Sequence, residues 1–169
     1  MAYLLDANVL IQAKNLHYGL DFCPAFWDWL VSMNAAGKVF SIERVGDEIA
    51  ALQDELSAWA DQRGSVFFLP PDASLIPSLA IVSGWATSRD YEQTAVNTFL
   101  QVADYYLVAH AHAGNHTVVT HEIHSDSLRR IKIPDACIGL GMKCMTPYEM
   151  LRRERARFVL DFAPTDASG

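Results

Sequence analysis

The chain of 169 residues is long enough for one domain with a sizeable core, and its hydrophobic content of 51% can supply that core. Its apolar residues stand in short runs, which excludes a membrane-spanning helix, and its start lacks the basic region of a signal peptide. The three cysteines form no CxxC pair, which argues against a disulfide or zinc-thiolate framework. We expect a cytoplasmic protein with one domain at 1–157 and a tail at 158–169.

The net charge of −7 argues against non-specific binding of nucleic acid, but the charge is unevenly distributed. Residues 1–128 carry 15 acidic and 5 basic side chains, whereas residues 129–169 carry 5 acidic and 8 basic side chains. This asymmetry indicates an acidic site beside a basic flank, although a solvated surface of both signs would give the same distribution.

Short apolar strands alternate with helices along the chain. This alternation predicts an α/β fold in three layers, with a central, mainly parallel sheet flanked by helices on both faces. The last helix has the capping-box pattern, with Thr146 as N-cap, Pro147 in the first position and Glu149 in the third. In chain order, we predict a strand at 2–6, helices at 7–15 and 23–37, a strand at 38–42, a long helix at 43–64, a strand or extended link at 65–70, two helices within 73–101 that break near 87–90, a helix at 103–114, a strand at 116–120, a weak strand at 142–145 and a helix at 146–158.

Two carboxylates follow predicted strands. Asp6 stands between the two apolar runs of YLLDANVLI, where an ionised carboxylate is costly to bury unless it is paired or binds a metal. Glu122 comes just after the strand HTVVT. Because ligands of open α/β folds bind beyond the carboxyl ends of the strands, both acids lie where a site is expected.

Two further carboxylates are predicted to face inward from helices. At ~100° per residue, Glu48 borders the apolar stripe of the long helix near its start, whereas Glu43 and Asp47 point away. Asp104 is in line with the apolar residues three, four and seven positions after it. Considered singly, Glu48 is more simply explained as a surface acid, and Asp104 as an N-cap or as an acid that interacts favourably with the helix dipole. The apolar stripe of the long helix consists of Val45, Ile49, Leu52, Leu56 and Trp59.

Together, the four acids predict a cluster of carboxylates in one cleft. Carboxylates that are held together raise each other's pKa unless a cation neutralises them. Carboxylate oxygens without soft ligands suit Mg²⁺ or Mn²⁺, and one or two such ions can activate a water for hydrolysis of a phosphodiester.

At these residues the sequence resembles the PIN-domain family of metal-dependent ribonucleases. Four segments carry the resemblance in the family's order, namely LLDANVLI, VGDEI, ADYYLVAHA and HTVVTHE, within residues 3–150. The resemblance implies a PIN-like fold in which Asp6, Glu48, Asp104 and Glu122 are the catalytic and metal-binding acids. The family more often has Asp in the last position, so Asp126 is an alternative fourth acid.

The resemblance also implies supporting residues and partners. Asn8 and Thr120 match polar positions beside the metal site, and KIPDAC at 132–137 is typical of a little-characterised prokaryotic subgroup. Single-domain proteins of this size are commonly toxins of type II toxin–antitoxin pairs. We therefore expect an RNA substrate, an antitoxin partner and a homodimer.

Two groups of side chains point to surfaces. The arginines of the last helix are predicted to contact RNA or an acidic segment of a partner, because the guanidinium fork suits phosphate and carboxylate. Trp27 and Trp29 are two apart on one helix, so one of them is expected to face a second surface, on a neighbouring helix or a partner. The arginines are Arg152, Arg153, Arg155 and Arg157.

Two alternative functions stay open at this point. One is a catalytically silent PIN-like binding module, whose acids would be structural. The other is a histidine-containing metal hydrolase, but HEIH does not have the HExxH spacing, and His110 and His112 point ~200° apart on a helix. We therefore expect surface histidines. The five histidines concerned are His110, His112, His116, His121 and His124.

Overall fold

The structure is a computed structural model that describes residues 1–160; the rest of the predicted tail, residues 161–169, lies outside the described residues. Its centre is a five-stranded, all-parallel sheet with the strand order β3-β2-β1-β4-β5. The predicted α/β fold, with a parallel sheet flanked by helices, is confirmed and is consistent with a three-layer PIN-like fold. The strands are β1 Tyr3–Leu5, β2 Val39–Ile42, β3 Phe68–Leu69, β4 Thr117–Val119 and β5 Cys144–Met145.

Helices connect all the strands. A π-helical segment continues the first helix over Ala13–His17. None of the helices within residues 1–160 combines the length and the apolar character needed to cross a membrane. The α-helices are α1 Ala7–Gln12, α2 Pro24–Ala35, α3 Glu43–Ala50, α4 Glu55–Phe67, α5 Leu75–Ser88, α6 Gln93–Phe99, α7 Ala103–Gly114, α8 Ile133–Gly139 and α9 Pro147–Arg153.

The two central strands create the crevice of the sheet. The side chains of Leu4, Leu5, Val118 and Val119 are fully buried, which explains the continuous apolar runs of β1 and β4. The chain passes from β1 outward to β2 and β3, and then returns to the other side of β1 to form β4 and β5. Right-handed crossovers therefore put the helices of the two halves on opposite faces, and the strand order reverses beside β1. Ligands of open α/β sheets bind at this point, beyond the carboxyl ends of the strands.

The prediction of one helix at 43–64 is wrong, because a turn separates α3 from α4. Gln53 has a left-handed φ of 52°, and the side chain of Asp54 accepts the backbone N–H of Ser57 as the N-cap of α4. A capped helix start ends the helical periodicity of the preceding segment. The apolar stripe therefore does not continue across the turn, and Leu52 is 45% exposed.

The capping box of α9 is confirmed, since Thr146 Oγ1 accepts the N–H of Glu149. The predicted extension of this helix to residue 158 is wrong. Arg155 has a left-handed φ of 53°, and the N–H of Ala156 donates to the carbonyl of Leu151 at 2.9 Å. This is a Schellman-type ending in which an arginine occupies the position that usually holds glycine, so the sequence carried no stop signal there.

The break near 87–90 is confirmed between α5 and α6, whereas α8 was not predicted. Trp27 is buried and packs edge-on against Trp59, with 5.0 Å between ring centroids, whereas Trp29 is half-buried against the same core. The expectation that one tryptophan of α2 faces a second surface is therefore wrong: both pack against the same core and differ only in their degree of burial.

Candidate metal centre

The adjacent ends of β1 and β4 hold the carboxylate of Asp6 in one orientation. Asp6 is 6% exposed, and its Oδ2 accepts a hydrogen bond from Thr120 Oγ1 at 2.8 Å. Thr120 Oγ1 in turn accepts from Asn8 Nδ2 at 3.3 Å and from the N–H of Glu122 at 3.0 Å. The Thr120 hydroxyl thus uses its one donor and both acceptor positions. The two predicted supporting residues, Asn8 and Thr120, therefore form a hydrogen bond with each other, and Thr120 also donates one to Asp6.

The acids influence one another electrostatically. Burial, followed by the charge of Asp104, raises the pKa of Asp6 to about 7; Glu122 adds to this effect, and the hydrogen bond from Thr120 opposes it. Burial, followed by the charges of Glu122 and Glu48, raises the pKa of Asp104 to about 6. All four predicted acids therefore belong to one electrostatic cluster, although they come from four separate segments of the chain.

Glu48 is distinguished from its acidic neighbours by the cleft that it lines. Glu48 on α3 and Asp104 in the first turn of α7 line one cleft of about 440 Å³. Glu43 and Asp47 instead line a groove between α3 and α4. Glu48 is exposed, so it faces solvent in the cleft rather than the core. The helical angle therefore separated the three acids of α3 as the structure does, even though the long helix was wrong.

The carboxylate of Glu122 is occupied by two donors. Its Oε1 accepts from Arg130 Nη2 at 3.0 Å, and its Oε2 accepts from the N–H of Ile133 at 2.8 Å. Its side chain is 11% exposed. Asp126, the alternative fourth acid, lies elsewhere: its side chain is 98% exposed and binds His124 Nε2 at 3.0 Å.

The four acids fit Mg²⁺ or Mn²⁺ in chemical type, because they offer carboxylate oxygens; of the four, Glu48 and Asp104 line the cleft. A cation among these acids would also relieve the repulsion that raises the pKa of Asp6 and of Asp104. Within residues 1–160, however, no three His, Cys, Asp or Glu side chains stand close enough to hold one ion. Binding by three of the acids therefore requires side-chain rotation, and for Glu122 it also requires the loss of a hydrogen bond.

Sequence reasoning missed the arginines of the cleft. Arg129 and Arg130 line it together with Glu48 and Asp104. The only signal for them is that the basic part of the chain begins at residue 129. It also missed Asp135 of α8, which is 7% exposed and accepts a hydrogen bond from His124 Nδ1 at 2.5 Å. The signal for Asp135 is a single acid inside the apolar segment IPDAC.

The histidines do not form a common site. The expectation of surface histidines is met by His124, whereas the other four are half-buried. Their contacts lie in different parts of the fold, and the described residues include no group of three side chains that could hold a metal ion. His112 Nδ1 bonds Ser78 Oγ at 2.8 Å, His116 Nδ1 accepts from the N–H of Ala2 at 3.1 Å, and His121 packs against His17 and Tyr148.

The predicted basic flank is exposed. Arg152 and Arg153 line a groove of about 530 Å³ beside the edge strand β5, together with Lys143. Arg155 and Arg157 follow the end of α9 and are exposed as well. These four side chains are accessible to a partner from outside the chain.

Comparison with known proteins places the whole site inside one family domain. The family described as "Domain of unknown function (DUF4411)" matches residues 3–158. No curated protein and no solved structure matches the chain. The matched range contains all the acids, supporting residues and arginines described above.

Proposed function

We propose that this chain, which belongs to the DUF4411 family of unknown function, is a metal-dependent endoribonuclease of the PIN type. The observation that carries the proposal is the electrostatic cluster of Asp6, Glu48, Asp104 and Glu122 at the carboxyl ends of the strands. Carboxylates that are buried and repel each other cost stability. A divalent cation as the functional partner would account for that cost.

In this proposal, Asp6, Glu48 and Asp104 would hold Mg²⁺ or Mn²⁺, and Glu122 adds negative charge beside Asp6 and Asp104. The ion, when bound, lowers the pKa of a water and offsets the negative charge that develops on the phosphate. Thr120 and Asn8 keep the carboxylate of Asp6 in one orientation, so that little reorganisation is needed during the reaction. Water attacks phosphorus in line and the 3′-oxygen leaves, which gives a 5′-phosphate and a 3′-hydroxyl.

The biological setting is part of the same proposal. RNA, single-stranded where it is cut, is the favoured substrate, because the chain carries no DNA-reading motif. A cytoplasmic toxin of a type II toxin–antitoxin pair, acting as a homodimer, fits the size of the chain and its resemblance to the PIN family. The exposed arginines beside β5 offer a surface for RNA or for an acidic antitoxin segment. Light scattering of the purified protein at micromolar concentration tests the dimer, and a monomer would contradict it.

A second candidate function is a PIN-like binding module without catalysis. The observation that favours it is the engagement of Glu122 with Arg130 and Ile133, together with the lack of a three-ligand group within residues 1–160. The spread of the histidines gives no comparable support to a histidine-containing hydrolase.

One experiment separates the two candidates. Purified protein is incubated with labelled RNA in Mn²⁺ or in chelator, alongside Asp104→Asn and the control Asp47→Asn. The nuclease proposal expects cleavage only with metal, unchanged within a few-fold in Asp47→Asn and reduced by at least about 100-fold in Asp104→Asn. Binding of RNA without cleavage by the wild type would favour the binding module.

A further inference from the structure

The loop between β4 and α8 is closed at its base by one carboxylate. Glu122 near the start of this loop accepts the N–H of Ile133 at its end, and Ile133 is the first residue of α8. The same carboxylate binds the guanidinium of Arg130 through its other oxygen. Glu122 therefore links both ends of the loop and fixes one arginine within it.

Other contacts fix the same part of the loop against α6. The carbonyl of Leu128 accepts the N–H of Glu92 at 2.9 Å, and Arg129 Nε lies 3.6 Å from Glu92 Oε1. Ile131, directly after the two arginines, is 3% exposed. Arg130 thus stands between two anchored points of the backbone, although its side chain is 66% exposed.

The position of Arg130 is suited to an anionic ligand. Its ion pair with Glu122 uses one end of the guanidinium fork, which carries five N–H donors, and a fork of this kind binds phosphate in a bidentate manner. Arg130 lines the same cleft as Glu48 and Asp104, and its charge opposes the rise in the pKa of Asp104. Without its two arginines, Arg129 and Arg130, a cleft lined by Glu48 and Asp104 in a chain of net charge −7 would repel a phosphodiester.

The bonds of Glu122 argue against its use as a ligand. Turning this carboxylate toward an ion would break a charge-assisted bond to Arg130 and leave the N–H of Ile133 without its acceptor. Both losses disfavour the change, since a donor left unsatisfied retains its full desolvation penalty.

We propose that Arg130 is a phosphate-binding residue of the cleft and that Glu122 is the residue that positions it, rather than a metal ligand. The inference rests on the proposed function for its substrate class, single-stranded RNA. It assigns metal binding to Asp6, Glu48 and Asp104 alone.

The first test measures RNA binding in chelator, so that it does not depend on metal or on cleavage. The probe is a fluorescent oligouridylate of about ten nucleotides, followed by anisotropy over a range of salt concentrations. We expect Arg130→Gln and Glu122→Gln each to weaken binding about 10-fold and to lower the salt slope by roughly 0.7. The double variant should bind RNA at most about 2-fold more weakly than either single variant, because each substitution already disrupts the same Glu122–Arg130 pair.

Two further variants serve as controls for the binding test. Arg130→Lys keeps the charge without the fork and should recover part of the affinity. Arg89→Gln, an exposed arginine beside a different cleft, is the matched control and should bind as the wild type does. Arg130→Gln leaves the bond between Glu122 and Ile133 in place, so it stays informative if Glu122→Gln disturbs the loop. Unchanged affinity and slope in Arg130→Gln would overturn the inference.

The second test measures Mn²⁺ binding by calorimetry without RNA. Glu122→Gln removes a neighbouring negative charge and should weaken Mn²⁺ binding only a few-fold, whereas Asp104→Asn should weaken it by at least about 10-fold. Equal losses in the two variants would make Glu122 a ligand and overturn the inference. A wild type that binds oligouridylate through Arg130 but neither binds Mn²⁺ nor cleaves RNA would overturn the proposed function and leave the role of Arg130 standing. A wild type that binds no RNA in chelator would overturn the inference itself.

Discussion

Replacing Asp6 by Asn should stabilise the metal-free protein, because Asp6 is ionised at a cost in the fold. Burial and the charge of Asp104 raise its pKa from 3.8 to about 7. Between these two values the folded protein holds a proton that the unfolded chain releases, so this group lowers stability as the pH rises from about 4 to 7. One pKa unit corresponds to about 1.4 kcal/mol, so full ionisation costs about 4 kcal/mol of unfolding free energy.

The substitution removes this cost and keeps the shape of the side chain. The amide oxygen of Asn can accept the hydrogen bond that Thr120 donates to Asp6, but the new NH₂ group is buried at a position that is 6% exposed. Burying that polar group costs about 1 kcal/mol. The net gain is therefore about 3 kcal/mol at about pH 8, where the wild-type carboxylate is ionised. For a protein of this size, it corresponds to a rise in Tm of about 6–12 °C.

Thermal melts between about pH 5 and 8, with chelator and with Mn²⁺, measure the cost of ionising Asp6 and the stabilisation by a bound cation. In chelator, the wild type should lose stability across this range and Asp6→Asn should lose less. A cation that binds only the folded state adds about 2.7 kcal/mol at one hundred times its Kd, and the variant should gain less than the wild type. Asp47→Asn, an exposed acid of α3, is the control and should follow the wild type.

The opposite pattern would refute this reasoning. If Asp6→Asn melts clearly below the wild type in chelator at every pH, and if Mn²⁺ does not shift the wild type, then Asp6 serves the fold. Its contact with Thr120 would then be its main contribution.

Substitutions can also test Glu48, the arginines within 152–157 and the N-cap Asp54. Glu48→Gln should abolish RNA cleavage while Asp47→Asn stays within a few-fold, since only Glu48 shares the cleft of Asp104; an active Glu48→Gln protein in a metal-dependent cleavage assay would contradict this. Changing the four arginines within 152–157 to Gln should weaken RNA binding and lower its salt slope by roughly 0.7 for each arginine that binds a phosphate, and an unchanged slope would make this flank an ordinary solvated surface. Asp54→Ala should lower stability at neutral pH by about 1 kcal/mol, because Asp54 loses its ion pair with Lys14 and α4 loses its N-cap. The difference should shrink in melts at acid pH, where the wild-type carboxyl is protonated, and equal loss at all pH values would exclude the carboxylate as its cause.

Local sequence determined most of the elements and the locations of the acids. The buried strands β1 and β4 are short apolar runs. Asp6 directly follows β1 and Thr120 directly follows β4, so the pairing of these parallel strands brings the two side chains together. The helical angle separated Glu48 from Asp47 because side-chain direction on a helix depends only on spacing. The capping box at Thr146 is likewise a contact within four residues.

Tertiary structure decided what each side chain binds. Whether Glu122 faces a metal or Arg130 depends on how the loop after β4 closes onto α8, and no periodicity in the sequence encodes that closure. Only the same loop decides that Asp126 stays in solvent with His124 while Asp135 is buried. Helix ends made by left-handed residues other than glycine, at Gln53 and Arg155, were also missed. Patterns of hydrophobicity set which face of an element is buried, whereas the partners of a polar group are set by distant residues that only the folded chain brings within hydrogen-bond distance.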